Sequence, residues 1–326
     1  MRAIVCKALG DIGDLLLEEV ARPPLPEGGV RIAVEAAGLN FADTLIVAGK
    51  YQIRPAPPFS PGFEVAGRVL ECAAGVSRCR PGDRVMAVIE YGGFAEEAVA
   101  PEDCVFVLGE HVDPVVAAGF PVAYGTSHLG LTYSARLTAG ETLLVHGAAG
   151  GVGLTAVEIG KRLGARVIAT AGGAEKLAVA AAAGADHVLD SRSDGLREAI
   201  KELTQGRGVD VVYDPVGWPL FEVSLRATAS GGRILLVGFA SGDVPQIPAN
   251  ILLVKNIAAI GFYWGAYRTL APRAMQRSCG ELVRWLGEGS LHPHVSQTFP
   301  MADAVQALQA LKARRTTGKV VLVTGA

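Results

Sequence analysis

ETLLVHGAAGGVGLTAVEIGK, Glu141 to Lys161, changes from a strand pattern to a helix pattern across a cluster of glycines. Thr142 to His146 is a short apolar run of the kind that forms a strand buried on both faces, and Leu154, Val157, Ile159 and Leu163 then recur at roughly helical spacing. Gly147, Gly150, Gly151 and Gly153 lie between. Glycine loops of this sort are often only tight packing turns. They also let a phosphate approach the unsatisfied N–H groups and positive dipole end of a helix N-terminus, which a Cβ would obstruct. Because the cluster follows a strand, opens a helix and sits among further alternations, the expectation is a dinucleotide-binding turn. Gly150, Gly151, Val152 and Gly153 are its candidate contacts.

Working outward, the units repeat. Strands are expected at Arg166 to Thr170, His187 to Leu189, Val209 to Tyr213, Arg233 to Val237 and Ile257 to Phe262, with helices at Val152 to Leu163, Ala174 to Ala183, Leu196 to Thr204 and Leu220 to Thr228. This alternation predicts an α/β fold, a doubly wound parallel sheet of Rossmann type. Before it, Met1 to about Pro121 reads as short strands punctuated by turns at Pro26-Glu-Gly-Gly, Arg80-Pro-Gly-Asp and Tyr91-Gly-Gly, a mostly antiparallel, partly barrel-like domain. A helix-like stretch, Val115 to Arg136, leads into the glycine turn. After Trp264 come helices at Pro272 to Gly287 and Met301 to Ala313, then a strand at Lys319 to Thr324.

The 326 residues exceed one ordinary core, and half of them are hydrophobic against 19% charged, so two well-packed domains are expected and disorder is not. A net charge of −2 without single-sign runs gives no reason to expect nucleic acid or an anionic membrane as partner. No stretch reaches the roughly 20 apolar residues of a membrane span. Five scattered cysteines, Cys6, Cys72, Cys79, Cys104 and Cys279, fit reduced thiols, and a cytoplasmic location is the expectation.

With these segments placed, the chain resembles zinc-free medium-chain dehydrogenases/reductases of the NADPH:quinone oxidoreductase (zeta-crystallin-like) type. The resemblance rests on GLNFADTLIVAGKY from Gly38, PGFEVAGRV from Pro61, PGDRV from Pro81, AYGTSHLGL from Ala123, HGAAGGVG from His146, VDVVYDPVG from Val209, GGRILLVGF from Gly231 and TTGKVVL from Thr316. It implies a GroES-like catalytic domain built from both chain ends, 1–121 and 265–326, around an NADPH-binding domain, 122–264. It also implies a homodimer, joined through an edge strand supplied by Asn250 to Tyr267. Asn40 stands near the first zinc-ligand cysteine of zinc-dependent relatives and Phe63 at the histidine place, so no metal is expected.

The strand before Gly172 and Gly173 ends without the acid that would bind a ribose 2′-OH, and Lys176 follows it. A lysine pairs with the 2′-phosphate of NADPH where an acid would repel it. Ser191 departs from the tyrosine of many relatives, and Arg192 beside it is expected to compensate. For the nicotinamide half, the resemblance implies contacts from Thr126, Gly217, Gly238, Phe239, Gly261, Phe262 and Tyr263. For the reacting end it implies Asn40, Tyr51 and Asp43, although Asn40 could serve only a loop and Asp43 only a helix cap. The expected reaction is metal-free hydride transfer to a quinone or similar conjugated carbonyl. The alternatives are an enone or enoyl-thioester reductase and, in another class, a non-enzymatic NADPH-binding protein of crystallin-like or RNA-binding kind.

Overall fold

A computed structural model describes residues 1–325. The chain forms two compact units, Met1–Val122 with Val283–Ala326, and Ala123–Leu282. The expected boundary at 264/265 differs from this by about one turn-and-helix unit. The reason is a continuous helix that starts in one unit and ends in the other. Its Ser278 Oγ lies 2.8 Å from Nδ1 of buried His128, which ties its first half to the second unit.

In the first unit the strands are β1 (Arg2–Val5), β2 (Leu16–Glu19), β3 (Gly29–Gly38), β4 (Glu64–Cys72), β5 (Arg84–Val88), β6 (Glu97–Pro101) and β7 (Val105–Val107), with helices α1 (Phe41–Val47) and α2 (Pro114–Ala118). The centre is β3, which pairs antiparallel with β4 on one side, with β6 through its first half, and with a strand from the far end of the chain. Val30, Ile32 and Val34 alternate into the core. Each such side chain removed from water contributes about 1.5–3 kcal/mol.

The expected helix Val115 to Arg136 is broken. Pro121 restricts the residue before it and donates no hydrogen bond, so α2 stops at Ala118 and α3 (Pro121–Leu129) starts afresh, followed by a π-type turn, Gly130–Ser134. The second unit then runs β8 (Thr142–Val145), α4 (Gly151–Arg162), β9 (Arg166–Ala171), α5 (Ala174–Ala182), β10 (His187–Asp190), α6 (Leu196–Leu203), β11 (Val209–Asp214), α7 (Leu220–Ala227), β12 (Thr228–Leu236), α8 (Ala249–Lys255), β13 (Ala258–Gly261), α9 (Tyr267–Leu270) and α10 (Pro272–Gly287). All six strands are parallel, in the order β10-β9-β8-β11-β12-β13. Chain direction across the sheet reverses between β8 and β11, the switch point at which such sheets receive ligands.

Asn250 to Tyr267 is not one strand. Its first part is α8, which follows Pro248 and ends where Asn256 adopts a left-handed conformation (φ 53°); only Ala258–Gly261 joins the sheet, at its edge. Finally β14 (Val295–Pro300), α11 (Ala304–Lys312) and β15 (Lys319–Val323) return to the first unit, where β15 pairs antiparallel with β3. Two short strands, β7 and β14, lack a sequence pattern strong enough to announce them, whereas α1 is the helix that Asp43 is expected to cap.

Candidate functional site

Every candidate in the second unit lies just beyond the carboxyl end of a strand: Gly150 to Gly153 after β8, Lys176 after β9, Ser191 and Arg192 after β10, Gly217 after β11, Gly238 and Phe239 after β12, and Gly261 to Tyr263 at the end of β13. Thr126 is the exception in chain order, buried within α3. A parallel sheet presents all these ends along one edge, so six separate loops converge there.

The glycines after β8 answer to distances. A Cβ on Gly153 would stand 2.2 Å from the Gly147 carbonyl oxygen, and Gly147 itself has φ +58°. That contact folds the loop back on the first turn of α4. Gly150 occupies the N-cap in extended conformation, and among the described residues no side chain caps this terminus. The first N–H groups of α4 are therefore left for an anion to satisfy. This is the fit expected of a dinucleotide pyrophosphate.

Buried side chains that the sequence reading left aside hold this edge together. His146, directly after β8, has Nδ1 2.8 Å from Thr170 Oγ1 and Nε2 2.9 Å from Ser224 Oγ, which links the end of β8 to β9 and α7; burial holds its pKa below the ordinary value. Ser127 donates to the Val152 carbonyl at 2.9 Å and lies 3.0 Å from the Tyr213 hydroxyl, so α3 is fastened to the glycine turn. Asp214 accepts from the N–H groups of Val216 and Gly217 at 2.8 and 2.9 Å. Its turn brings Gly217 (φ +84°) against the Phe239 ring, where a Cβ would lie 3.1 Å away. At the β13 end, a Cβ on Gly125 would come within 2.5 Å of the Trp264 indole, so this glycine lets Trp264 pack against α3 beside Thr126.

Lys176, Ser191 and Arg192 gather near the Gly172–Gly173 turn. A Cβ on Gly173 would be 3.4 Å from the Arg192 guanidinium, and one on Gly172 would be 3.8 Å from Ser191 Oγ. Lys176 stands in the first turn of α5, directly after this turn. An acid does stand nearby, from the neighbouring strand. Asp190 is in register with Ala171 and holds Arg192 through Nε at 3.0 Å and Nη2 at 2.7 Å. Those bonds, and the Arg192 charge, hold the Asp190 carboxyl well below its ordinary range. An acid at this edge was not visible from β9 alone, because only strand register places it there.

In the first unit Asn40 and Asp43 meet, and two unanticipated residues complete the group. Asp43 is the third residue of α1 and caps the helix from within: one carboxylate oxygen accepts from Asn40 N–H at 2.7 Å, the other from Gly62 N–H at 3.0 Å. Burial pushes its pKa up to about 7, against the lowering effect of those two N–H groups and of Lys319. The Asn40 amide donates to Glu64 at 2.9 Å. The Lys319 ammonium donates to the Leu39 carbonyl at 2.5 Å and to Asn40 Oδ1 and Glu64 Oε1, each at 2.8 Å. The other Glu64 oxygen accepts from Val122 N–H at 2.8 Å. Glu64 is fully buried and Lys319 nearly so. Tyr51 is half-buried, its ring edge-on to Phe63 at 5.2 Å. Among the described residues, no three His, Cys, Asp or Glu side chains are grouped to hold a metal ion. No helix is long and apolar enough to cross a membrane.

Comparison with known proteins agrees in both halves. Residues 26–110 match the family profile of the alcohol dehydrogenase GroES-like domain, and residues 151–278 that of zinc-binding dehydrogenases. A quinone oxidoreductase-like protein 2 homolog from Nematostella vectensis is 39% identical, covering 99% of this chain and 89% of its own. Among solved structures, Escherichia coli quinone oxidoreductase complexed with NADPH has a TM-score of 0.93 at 30% identity, covering 99% of this chain and 100% of that one. The quinone oxidoreductase from Thermus thermophilus, solved alone and with NADPH, has a TM-score of 0.87 at 36% identity, covering 99% and 100%.

Proposed function

This chain belongs to the quinone oxidoreductase family of medium-chain dehydrogenases/reductases, and from that membership we propose how its residues divide the work. It is an NADPH-dependent oxidoreductase. The observation that carries the reading is the uncapped N-terminus of α4 at the sheet's switch point, kept open by Gly147, Gly150 and Gly153. The relatives' names favour a quinone as acceptor over an enone or enoyl thioester, and an enzyme over a binding protein.

NADPH, when bound, supplies a hydride from nicotinamide C4. The N–H groups of Gly151, Val152 and Gly153 would hold the pyrophosphate. Lys176 and Arg192 would hold the 2′-phosphate, with Ser191 as a further donor, and Asp190 fixes the Arg192 fork. Thr126, Gly217, Gly238, Phe239, Gly261, Phe262 and Tyr263 would line the nicotinamide half. A quinone spreads the arriving negative charge over its conjugated system, so the chain need only position it, exclude water and deliver a proton. We assign the proton to the Tyr51 hydroxyl or a water it holds. Asn40 and Asp43 act by fixing the loop before α1, since their polar atoms are bonded to Glu64, Gly62 and Lys319.

The reaction needs no zinc in this reading. Asn40 and Phe63 offer neither a thiolate nor an imidazole, and the cation at this place is the Lys319 ammonium, whose charge would repel a metal ion. The units take the roles of a GroES-like catalytic domain and an NADPH-binding domain, and β13 is the edge through which two copies form a homodimer. Five free thiols fit a cytoplasmic location.

Turnover with NADPH against a panel of quinones, enones and acyl-CoA thioesters tests this. Fast NADPH oxidation by quinones is expected. Preference for a thioester, or tight binding without oxidation by any member, overturns it. Tyr51→Phe is expected to lower kcat about tenfold or more with little change in NADPH affinity.

A further inference from the structure

Cys72 ends β4 and Cys79 closes the loop that leads to β5. Their sulfurs stand 4.0 Å apart, and the Cys72 thiol also points at the Cys79 carbonyl, 3.6 Å away. The loop between them is held on both sides. Ala73 N–H donates to the Gly29 carbonyl at 2.9 Å, which fixes the β4 end. The N–H groups of Ser77 and Arg78 both donate to one oxygen of Glu102, at 2.5 and 2.6 Å, which fixes the segment carrying Cys79. Gly75 takes φ +87° in the middle of this loop, and a Cβ placed there would meet nothing within 4 Å. Backbone contacts thus set the two sulfurs facing one another. Closing from 4.0 Å to a bond of about 2.05 Å asks for a movement of roughly 2 Å.

We propose that Cys72 and Cys79 form a reversible intramolecular disulfide when the protein meets a peroxide. Cys72 is partly exposed and Cys79 buried, so the oxidant reaches Cys72 first. The Cys72 thiolate attacks one peroxide oxygen; the O–O bond breaks, and the departing hydroxide is protonated to water. This leaves Cys72 as a sulfenic acid. Cys79 sulfur then attacks the Cys72 sulfur, the S–O bond breaks, and the second hydroxide leaves as water with the Cys79 proton. In sum two thiols lose two electrons and two protons to one peroxide, giving the disulfide and two waters. Cys79 is the slower partner as nucleophile, because burial pushes its thiol pKa up. Proximity to the sulfenic acid is what offsets this.

The bond would close a short loop at the end of β4 opposite to Glu64. At about 3.3 Å per residue the two ends of that strand are some 25 Å apart. Stability should respond, and turnover should not.

The test exposes the intact protein to hydrogen peroxide at near-neutral pH, quenches with an alkylating agent and maps the tryptic peptides. Expected are a linked peptide pair containing Cys72 and Cys79, a mass loss of 2 Da, loss of two titratable thiols, and full reversal by dithiothreitol. Melting temperature should rise by about 3–8 °C in the oxidised form, with NADPH-linked turnover changed less than twofold. Cys72→Ser, at a partly exposed position, should abolish the link and the rise together. Cys72 ending as sulfinic acid, a link to any other cysteine, or two unmodified thiols after Cys6, Cys104 or Cys279 has reacted would each overturn the proposal. Mapping the native chain decides the matter even should a variant fold poorly.

Discussion

In the proposed site, Lys176 is the residue on which cofactor choice would turn. It stands in the first turn of α5, after a glycine turn faced by Ser191 and Arg192. Lys176→Ala should weaken NADPH binding about 10- to 100-fold, as expected for the loss of a charge-assisted contact to phosphate, and leave NADH within about twofold. Fluorescence titration with both cofactors measures this, and equal loss for both sinks the assignment. Asp43 offers a second check, through pH. Its folded-state pKa of about 7 lies above its ordinary 3.8, so the folded chain keeps this proton where the unfolded chain has lost it. Its contribution is fully present below about pH 4 and is lost as pH rises through 7. Asp43→Asn should therefore flatten the urea midpoint across this window, removing a slope of at most about 1.4 kcal/mol per pH unit. A wild-type and variant that decline in parallel would refute the burial argument. The sequence offered Asn40 and Asp43 as candidates because of the segment they share. It could not offer Glu64 and Lys319 as their partners, since the Lys319 to Glu64 contact spans 255 positions.

Within the element formed by β8, the glycine turn and α4, two glycines do different work. Gly153 is required by the fold, because its Cβ would lie 2.2 Å from a backbone oxygen; Gly150 has an ordinary φ of −84° and its Cβ would come no closer than 3.3 Å to that atom. Gly153→Ala should lower stability by about 1–3 kcal/mol and NADPH affinity with it. Gly150→Ala should keep a melting temperature near the wild-type value yet lose at least about tenfold in NADPH affinity, because the added methyl meets the phosphate rather than the protein. Melting curves with and without NADPH separate these outcomes. Most strands and helices of this unit were legible because apolar runs and helical spacing alternate cleanly. Those that were not have local reasons: Pro121 divides an apolar stretch that reads as one helix, and Asn250 to Lys255 has the composition of a buried strand but follows Pro248 as a helix.

At the scale of the molecule, β13 stands at one edge of the six-stranded sheet, paired among the described residues with β12 alone, and Leu253 and Val254 on α8 before it are about three-quarters exposed. The proposed homodimer would pair along this edge. Ala258→Lys, at an exposed edge position, should shift the mass seen by light scattering from dimer toward monomer while leaving the melting temperature of the chain within a few degrees. A monomeric wild type at micromolar concentration removes the dimer proposal. The sequence by itself determined the α/β class, the glycine turn, the absent acid at the end of β9 and the missing cysteine and histidine near Asn40 and Phe63, because each of these is written in neighbouring residues or in residue type. Tertiary structure alone decided that Asp190 faces the turn after β9, that Lys319 supplies the cation beside Asn40, and that Cys72 and Cys79 face each other. Those pairings depend on strand register, on β15 returning to β3, and on the path of a loop, and local sequence spacing does not encode any of them.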